Sequence, residues 1–593
     1  KPNVLTADEL RNVVSFTAPN RMEKLGTAST NWFDEITQTA AGQNHSLAFT
    51  GGSENIAYRA SVGYQKQEGV LKGSQTERTS IGFNYSHSML ENRLNINANI
   101  RGAFTKDLFD QGQIGAAWFF DPTQPVYDPD NRAFAGFWEY GVGLAPRNPV
   151  STYMQIKDIG RSFRNLGNIE AEYKFDRFVP GLSAKVNLGY DVMNGKKRRF
   201  VPTTYNNTAV TNYTGEVFFE NPNRTSQLLE TYLTYDKGFG DNHHLNLLAG
   251  YSWQDWDEEY PSFRAYNLTS DIFGFNSTAP AQNFEADNFI VENRLISFFG
   301  RGTYSLMDKY LLTVTVRRDG SSRFGKTNRW GTFPSAAFAW RIMQEEFAGG
   351  LRSVLSDLKL RIGYGITGNQ EIGDYRYIPT YTFSDTKSRY QFGYQNGDPV
   401  YISTVRPNGY DAGLKWEETA TTNIGIDFGI LDGRINGSIE YYIKKTSDLL
   451  FTVNIPAGTN LTDRILTNIG ELENKGVELT LDAWLVKNST FSWNIGFNAA
   501  KNKNKVLAID QVSDQGVLTG RISGGVGNFI QILQVGQPVN AFYVFEAKLD
   551  AAGKPLIDGI DHNDDGKIDL GDMYQDLNGD GKVSDLDKRP FKK

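Results

Sequence analysis

The residues best spaced for chemistry lie near the end of the chain. Asp561, Asn563, Asp565, Asp569 and Asp572 occupy positions 1, 3, 5, 9 and 12 of a twelve-residue segment with Gly566 at position 6. The pattern repeats fifteen residues on with Asp576, Asn578, Asp580, Ser584 and Asp587, and Gly581 at position 6. A hard cation such as calcium takes ~6–8 oxygen ligands, and this spacing wraps a loop around one ion. The backbone carbonyls of Lys567 and Lys582, at position 7, complete the sets. Two features depart from an EF-hand. Position 12 is Asp in place of the longer bidentate Glu, and only Met573, Tyr574 and Gln575 separate the loops. Three residues are too few for the intervening helices. The expectation is therefore a pair of helix-free loops at 561–587 holding structural calcium, and the alternative is an acidic, solvent-facing turn.

Other chemistry is sparse. Gly320-Ser321-Ser322-Arg323-Phe324-Gly325-Lys326-Thr327 matches the phosphate-loop pattern, but a phosphate loop must open a helix whose N–H groups face the phosphates. Asn328-Arg329-Trp330-Gly331-Thr332-Phe333-Pro334 reads as strand, so the stretch is expected to be a glycine-rich hairpin. His243 and His244 are adjacent on a strand and point to opposite faces. No catalytic serine or metalloprotease motif is present, and no enzymatic activity is expected. Trp118, Phe119, Phe120, Trp138 and Tyr140 stand in a loop beside Asp and Asn, where flat rings suit sugar or peptide contact. Loop packing or an interfacial aromatic girdle is the alternative. A second group of aromatics, Trp253, Trp256, Tyr260, Phe263 and Tyr266, has the same two readings.

Composition limits what these residues serve. The chain has 593 residues, a net charge of −7, no cysteine and 13% aromatic residues. The acidic balance speaks against a nucleic-acid partner. Lack of cysteine excludes disulfides, thiolate metal sites and thiol nucleophiles. The longest apolar run, Ile114 to Phe120, is far short of the ~20 residues of a membrane-spanning helix.

The elements that carry these residues read as strands. Leu94, Ile96, Ala98 and Ile100 alternate with Asn95, Asn97, Asn99 and Arg101. Leu182, Ala184, Val186, Leu188, Tyr190 and Val192 alternate with Lys185, Asn187 and Asp191, and the pattern recurs at 56–65, 245–253, 358–364, 424–430, 435–443 and 477–483. A period of two over such lengths predicts roughly 16–18 strands, most near the ~9–11 residues of a tilted membrane strand. Short turns, such as Leu431-Asp432-Gly433-Arg434 and Lys487-Asn488-Ser489-Thr490, alternate with long excursions at 105–163, 195–225, 254–290 and 365–422. This asymmetry is the plan of a large antiparallel transmembrane β-barrel with apolar faces to lipid and polar faces to a lumen. The rival reading is a secreted, calcium-bound multi-domain β protein that binds or hydrolyses glycans. A helix is expected only near Ala7–Val14.

Several stretches resemble the SusC/RagA family of TonB-dependent outer-membrane transporters of the Bacteroidetes. They are Arg317-Arg318-Asp319-Gly320-Ser321-Ser322-Arg323-Phe324-Gly325, Arg329-Trp330-Gly331-Thr332-Phe333-Pro334-Ser335-Ala336, Thr367-Gly368-Asn369-Gln370-Glu371-Ile372-Gly373, Leu414-Lys415-Trp416-Glu417 and Asn468-Ile469-Gly470. The resemblance implies an outer-membrane barrel of about 22 strands, an N-terminal plug that contacts the TonB complex, and a SusD-like surface lipoprotein as lid. It implies import of oligosaccharides or peptides, with the aromatic loops favouring glycan. Over 1–593 it implies a barrel domain without the plug, which would precede Lys1, and without the closing strands, which would follow Lys593.

Overall fold

The computed structural model describes residues 4–141, 145–206, 213–383, 389–454, 464–509, 516–521, 529–564 and 566–591. Among the described residues, nineteen strands belong to one antiparallel sheet, and the helices are short. That exceeds the expected 16–18 because strands continue into two of the long excursions. Glu216–Glu220 lies within 195–225, and Ser262–Leu268 and Ala281–Asp287 lie within 254–290. Past the apolar band both faces are polar or aromatic, so the period of two fades from the sequence while backbone pairing continues. Trp256, Phe263 and Tyr266 are accordingly strand residues, not loop residues, and the strand expected at 245–253 runs on past Trp253 to Glu259.

The chain divides into two units. The first contains residues 1–233 and 251–295. Its strands Gly42–Gly52, Ile56–Glu68, Gln75–Met89, Leu94–Leu108, Lys157–Lys174 and Leu182–Val201 each pair with the next. Register fixes the faces. Asn99 opposes Asn168 and Ala98 opposes Ile169, so the asparagines share one face and the apolar residues the other. On the apolar face Ile81, Phe83, Ile100, Phe104, Ile169 and Leu188 are all exposed, Leu188 at 55%. Large side chains left uncovered in two-residue rhythm are what lipid contact requires.

Described residues of the long segment between Leu108 and Lys157 pack against one another and against Trp32–Ile36. Trp32, Ile36, Ala117, Phe120, Phe137 and Val150 form a buried cluster with Trp138, Tyr140 and Tyr153 packed against it. The helix Ala7–Thr17, capped by Thr6 and Glu9, extends the expected 7–14 by one turn. Asn148 caps Pro149–Gln155 and also donates its side-chain amide to the carbonyls of Val126 and Trp138, 2.8 and 3.0 Å away. Its backbone N–H donates to both oxygens of buried Glu139, at 3.2 and 3.3 Å. Burial pushes the Glu139 carboxyl up to about 7, against the opposing effects of the Asn148 and Asn206 hydrogen bonds and the Arg147 charge.

The second unit contains residues 234–250 and 296–593. Its central strands are Tyr310–Ser321, Trp330–Arg341, Leu355–Asn369, Glu417–Ile430, Ile435–Asn454, Arg464–Lys487 and Ser492–Ile509, again paired in chain order. Lys359, Arg361, Asp427 and Glu440 are ion-paired across the polar face, while Ile362, Ile424, Ile426 and Ile439 stand exposed on the other. Residues 320–327 form the end of a hairpin, with no helix after them: Gly320 opposes Trp330, and the Ser321 N–H donates to Arg329.

The separated sequence blocks meet at this hairpin. Phe324 is fully buried with its ring 5.1 Å from that of Trp416, and Phe333 lies 5.3 Å from Trp416 on another side. The Trp416 indole donates to the Arg329 carbonyl at 3.1 Å, and Arg323 pairs with Asp374 at 2.9 Å. A side chain at Gly368 would meet the Phe333 ring at 2.1 Å, so close strand packing requires glycine there. Asn468 closes the knot by exchanging hydrogen bonds with the backbone of Lys415. A smaller four-stranded sheet, from residues 517 to 590, lies outside the nineteen and carries the tandem acidic loops.

Two outcomes follow from this packing. Phe324→Ala removes a fully enclosed ring and is expected to cost about 3–5 kcal/mol. The folded, heat-modifiable band on a gel should convert at a clearly lower temperature, while Ile424→Ala on the exposed face moves it far less. Glu139 has a raised pKa, so its protonated form is favoured by the fold. That stabilisation is complete below the ordinary carboxyl value of 4.5 and is lost as pH rises through about 7. Protection of the Asn148, Val150 and Ser151 amides, corrected for intrinsic exchange, should fall across that window, and Glu139→Gln should flatten the response.

Candidate functional site

The polar face of the first unit lines a cavity of about 730 Å³. A hydrogen-bonded row of three side-chain amides runs along its wall and ends in a carboxylate on a fourth strand. Asn99 donates to Asn168 at 3.1 Å, Asn168 to Asn187 at 2.9 Å, and Asn187 to Glu230 at 3.0 Å. Beside the row, Arg164 makes a two-pronged pair with Asp191, and Arg224 donates to the Tyr260 hydroxyl near Glu258. Arg101 reaches the same cavity with no ion pair among the described residues. Trp256 supplies a flat apolar surface, with Leu166, Leu228 and Met193. The site thus offers donors, acceptors and one ring face along a path, with no grouping suited to bond cleavage. Asn99, Asn187 and Asp191 were legible in the sequence as inward polar residues. Arg164 and Arg224 were not, and Trp256, singled out as a loop aromatic, reaches this wall from the strand His243–Glu259.

A second cavity, of about 710 Å³, is lined by Leu5, Leu10, Trp32, Phe33, Trp118 and Phe119 among others. The five aromatics read as loop residues fall into two settings, and Trp118 and Phe119 end a short helix, Gln113–Phe119, rather than standing in a loop. Trp118 and Phe119 are exposed, Phe119 at 75%. Phe120 is buried, with its ring 4.6 Å from Trp32, 5.8 Å from Trp138 and 5.2 Å from Tyr140. Burial, with the charge of Asp121 nearby, raises the Tyr140 hydroxyl to about 12. Trp138 and Tyr140 are therefore placed as packing partners of Phe120, while Trp118 and Phe119 face outward.

The acidic loops share one internal plan. Asp561 accepts from the Gly566 N–H at 2.8 Å, and Asp576 from the Gly581 N–H at 2.8 Å. Asp572 and Asp587 are fully buried. Asp572 accepts from the N–H groups of His562 and Asp569, and Asp587 from those of Leu577, Asn578 and Ser584. Hydrogen bonds from the Asp569 and Ser584 N–H groups hold the two carboxyls below the usual carboxylate range. Each loop closes on a short 3-10 turn, Leu570–Met573 or Asp585–Asp587, so the loops are not wholly helix-free. Asn578 exchanges bonds with Asp580, and Lys582 pairs with Asp564. Asp565 lies outside the described residues. Among the described residues no group of three or more acidic or histidine side chains converges on one point. An ionised carboxylate accepts about four hydrogen bonds, so those already made leave oxygen capacity for a cation. His243 and His244 lie on opposite faces, paired with Tyr304 and Asp236.

Known proteins show the same organisation. Residues 115–524 match the family described as TonB dependent receptor-like, beta-barrel. The chain is 36% identical to the TonB-dependent receptor SusC of Bacteroides thetaiotaomicron over 96% of its length and 58% of that protein. It is 32% identical to the TonB-dependent receptor P3 of Formosa agariphila, over 99% of this chain and 57% of that one. The chain thus spans a little under three-fifths of these relatives. The solved RagAB peptide transporter has the same fold, with a TM-score of 0.75 at 20% identity, over 93% of this chain and 65% of that one. These relatives are receptors and transporters rather than enzymes. The alternating faces, the loop asymmetry and these matches together place the chain in the outer membrane, as a member of the SusC-like TonB-dependent receptor β-barrel family.

Proposed function

We propose that the full-length protein imports oligosaccharides across the outer membrane by TonB-coupled transport, with a SusD-like surface lipoprotein closing over its long loops. The observation that carries this reading is the amide-lined cavity with Trp256. Sugar hydroxyls pair with amides and with Arg–carboxylate groups, and the C–H face of a sugar ring packs on an indole. Trp118 and Phe119 contact cargo at the loops, held from behind by Phe120, Trp138 and Tyr140. Cargo captured there is released inward when TonB pulls on the plug, a step implied by the family. The fold shared with the RagAB peptide transporter, and the charged pairs in the cavity wall, support peptide as the second reading.

The tandem loops hold one structural calcium each. Asp561, Asn563, Asp565, Asp569, Asp572 and the Lys567 carbonyl form one set. Asp576, Asn578, Asp580, Ser584, Asp587 and the Lys582 carbonyl form the other. Repetition of the same internal hydrogen bonds in both loops supports the reading, because it presents matching oxygens twice.

Uptake of labelled oligosaccharides by a strain deleted for the full-length gene tests the cargo. Uptake of one glycan class should disappear, and complementation with Trp256→Ala should restore it only to about a tenth of the wild-type rate. Loss of peptide uptake with every glycan unaffected would replace glycan by peptide. For the loops, titrating calcium into chelator-treated protein should give heat from two sites, with one site lost in Asp561→Ala and the other in Asp576→Ala. Absence of calcium-dependent heat would remove the metal assignment.

A further inference from the structure

On the apolar face of the first unit, three neighbouring strands change character at the same height. In Leu94–Leu108 the outward positions run Leu94, Ile96, Ala98, Ile100, Gly102 and Phe104, then Lys106. Leu94 to Phe104 spans about 25 Å along the membrane normal, at ~3.3 Å per residue and ~40° of tilt, which is the height of an apolar band. In the next strand the outward positions run Ile169, Gly167, Asn165 and Phe163 to Arg161, and in the third they run Leu188, Tyr190, Val192 and Asn194 to Lys196 and Arg198, so only single amides interrupt the apolar run before the cations begin. The Phe104 and Phe163 rings touch, with centroids 4.6 Å apart, so the faces are aligned. The change falls at the ends that enter the long loops, the extracellular side in this architecture.

Register then sets cation against cation. Lys106 is directly opposite Arg161, and Arg161 is directly opposite Lys196, with Arg198 one step along the same face. Like charges in direct opposition destabilise a sheet. Among the described residues none of the four makes an ion pair. The neighbouring carboxylate in the row, Glu77 opposite Lys106, accepts from the Tyr64 hydroxyl at 3.0 Å and has Lys66 on its far side. Arg198 is held over the Phe219 ring, 5.6 Å from its centroid. Arg161, Lys196 and Arg198 surround a small cavity of about 180 Å³ with Ile159 and Phe275. The polar face treats its charges differently, pairing Arg164 with Asp191 and Lys185 with Glu170. A convergent set of unpaired cations, concave, at the rim of a lipid-facing band, matches a multivalent anion carried by a lipid.

We propose that Lys106, Arg161, Lys196 and Arg198 bind the phosphorylated headgroup of an outer-leaflet lipid, whose acyl chains lie along Phe104, Phe163 and Ile169. The test uses the full-length receptor purified in neutral detergent, with bisphosphorylated lipid A, dephosphorylated lipid A and inorganic phosphate as probes. Bisphosphorylated lipid should raise the unfolding temperature and bind on the order of a hundredfold more tightly than to the Lys106→Gln/Arg161→Gln/Lys196→Gln/Arg198→Gln variant. Arg177→Gln, at the short-turn end, should bind as wild type. Wild-type binding should weaken steeply as salt is raised, which tests the proposal even if the fourfold variant does not fold. Equal binding of dephosphorylated lipid, an equal effect of inorganic phosphate alone, or salt-independent binding would overturn it.

Discussion

Everything in this protein depends on satisfying the strand backbone within the sheet itself. In hydrocarbon an unpaired N–H or C=O costs several kcal/mol, so backbone partners must come from neighbouring strands. Antiparallel pairing supplies them and leaves side chains to alternate between two unlike surroundings. That is why exposed Ile, Leu and Phe stand beside asparagines that form a continuous amide row. Neither face is a packed core. The buried side chains lie instead at the strand ends, where chain is free to fold on itself.

The strand ends show two solutions to the same packing problem. Around Trp32 and Phe120 an apolar cluster gathers residues from the first forty positions and from the long 109–156 segment. Around Phe324 and Trp416 the packing draws on five sequence blocks spread over more than a hundred residues. The hairpin that mimics a phosphate loop is glycine-rich because rings press on it: Trp330 lies against Gly320 and Phe333 against Gly331. Its lysine and threonine are incidental to a motif whose work is steric.

Charge is distributed with the same logic. On the polar face of the second unit Arg361 joins Asp427 and Glu440, a cation shared by two carboxylates. On the polar face of the first unit the Asn99–Glu230 row ends in a carboxylate. These networks line the polar surfaces with paired charges. Cations left opposing one another on the outward rim are the exception, and their position between apolar band and long loops gives that exception a chemical meaning.

The sequence by itself determined most of the strands, their two faces, the turn positions to within a residue of 89–92, 431–434 and 487–490, the asymmetry of the connections and the family. All of these rest on local patterns, period-two alternation and turn residues, that the fold does not override. It also contained the spacing of the acidic loops. Only the tertiary structure decided register, and register places Trp256 and Arg164 on the cavity wall and sets Lys106 against Arg161. It separated exposed Trp118 and Phe119, at the end of the helix Gln113–Phe119, from buried Phe120, the next residue in the chain. It extended strands through stretches that read as loops, because backbone pairing persists where hydrophobic alternation stops. The physical reason is the same in each case. Alternation along one strand is written in its own residues, whereas what a side chain meets across the sheet depends on the residues of another strand.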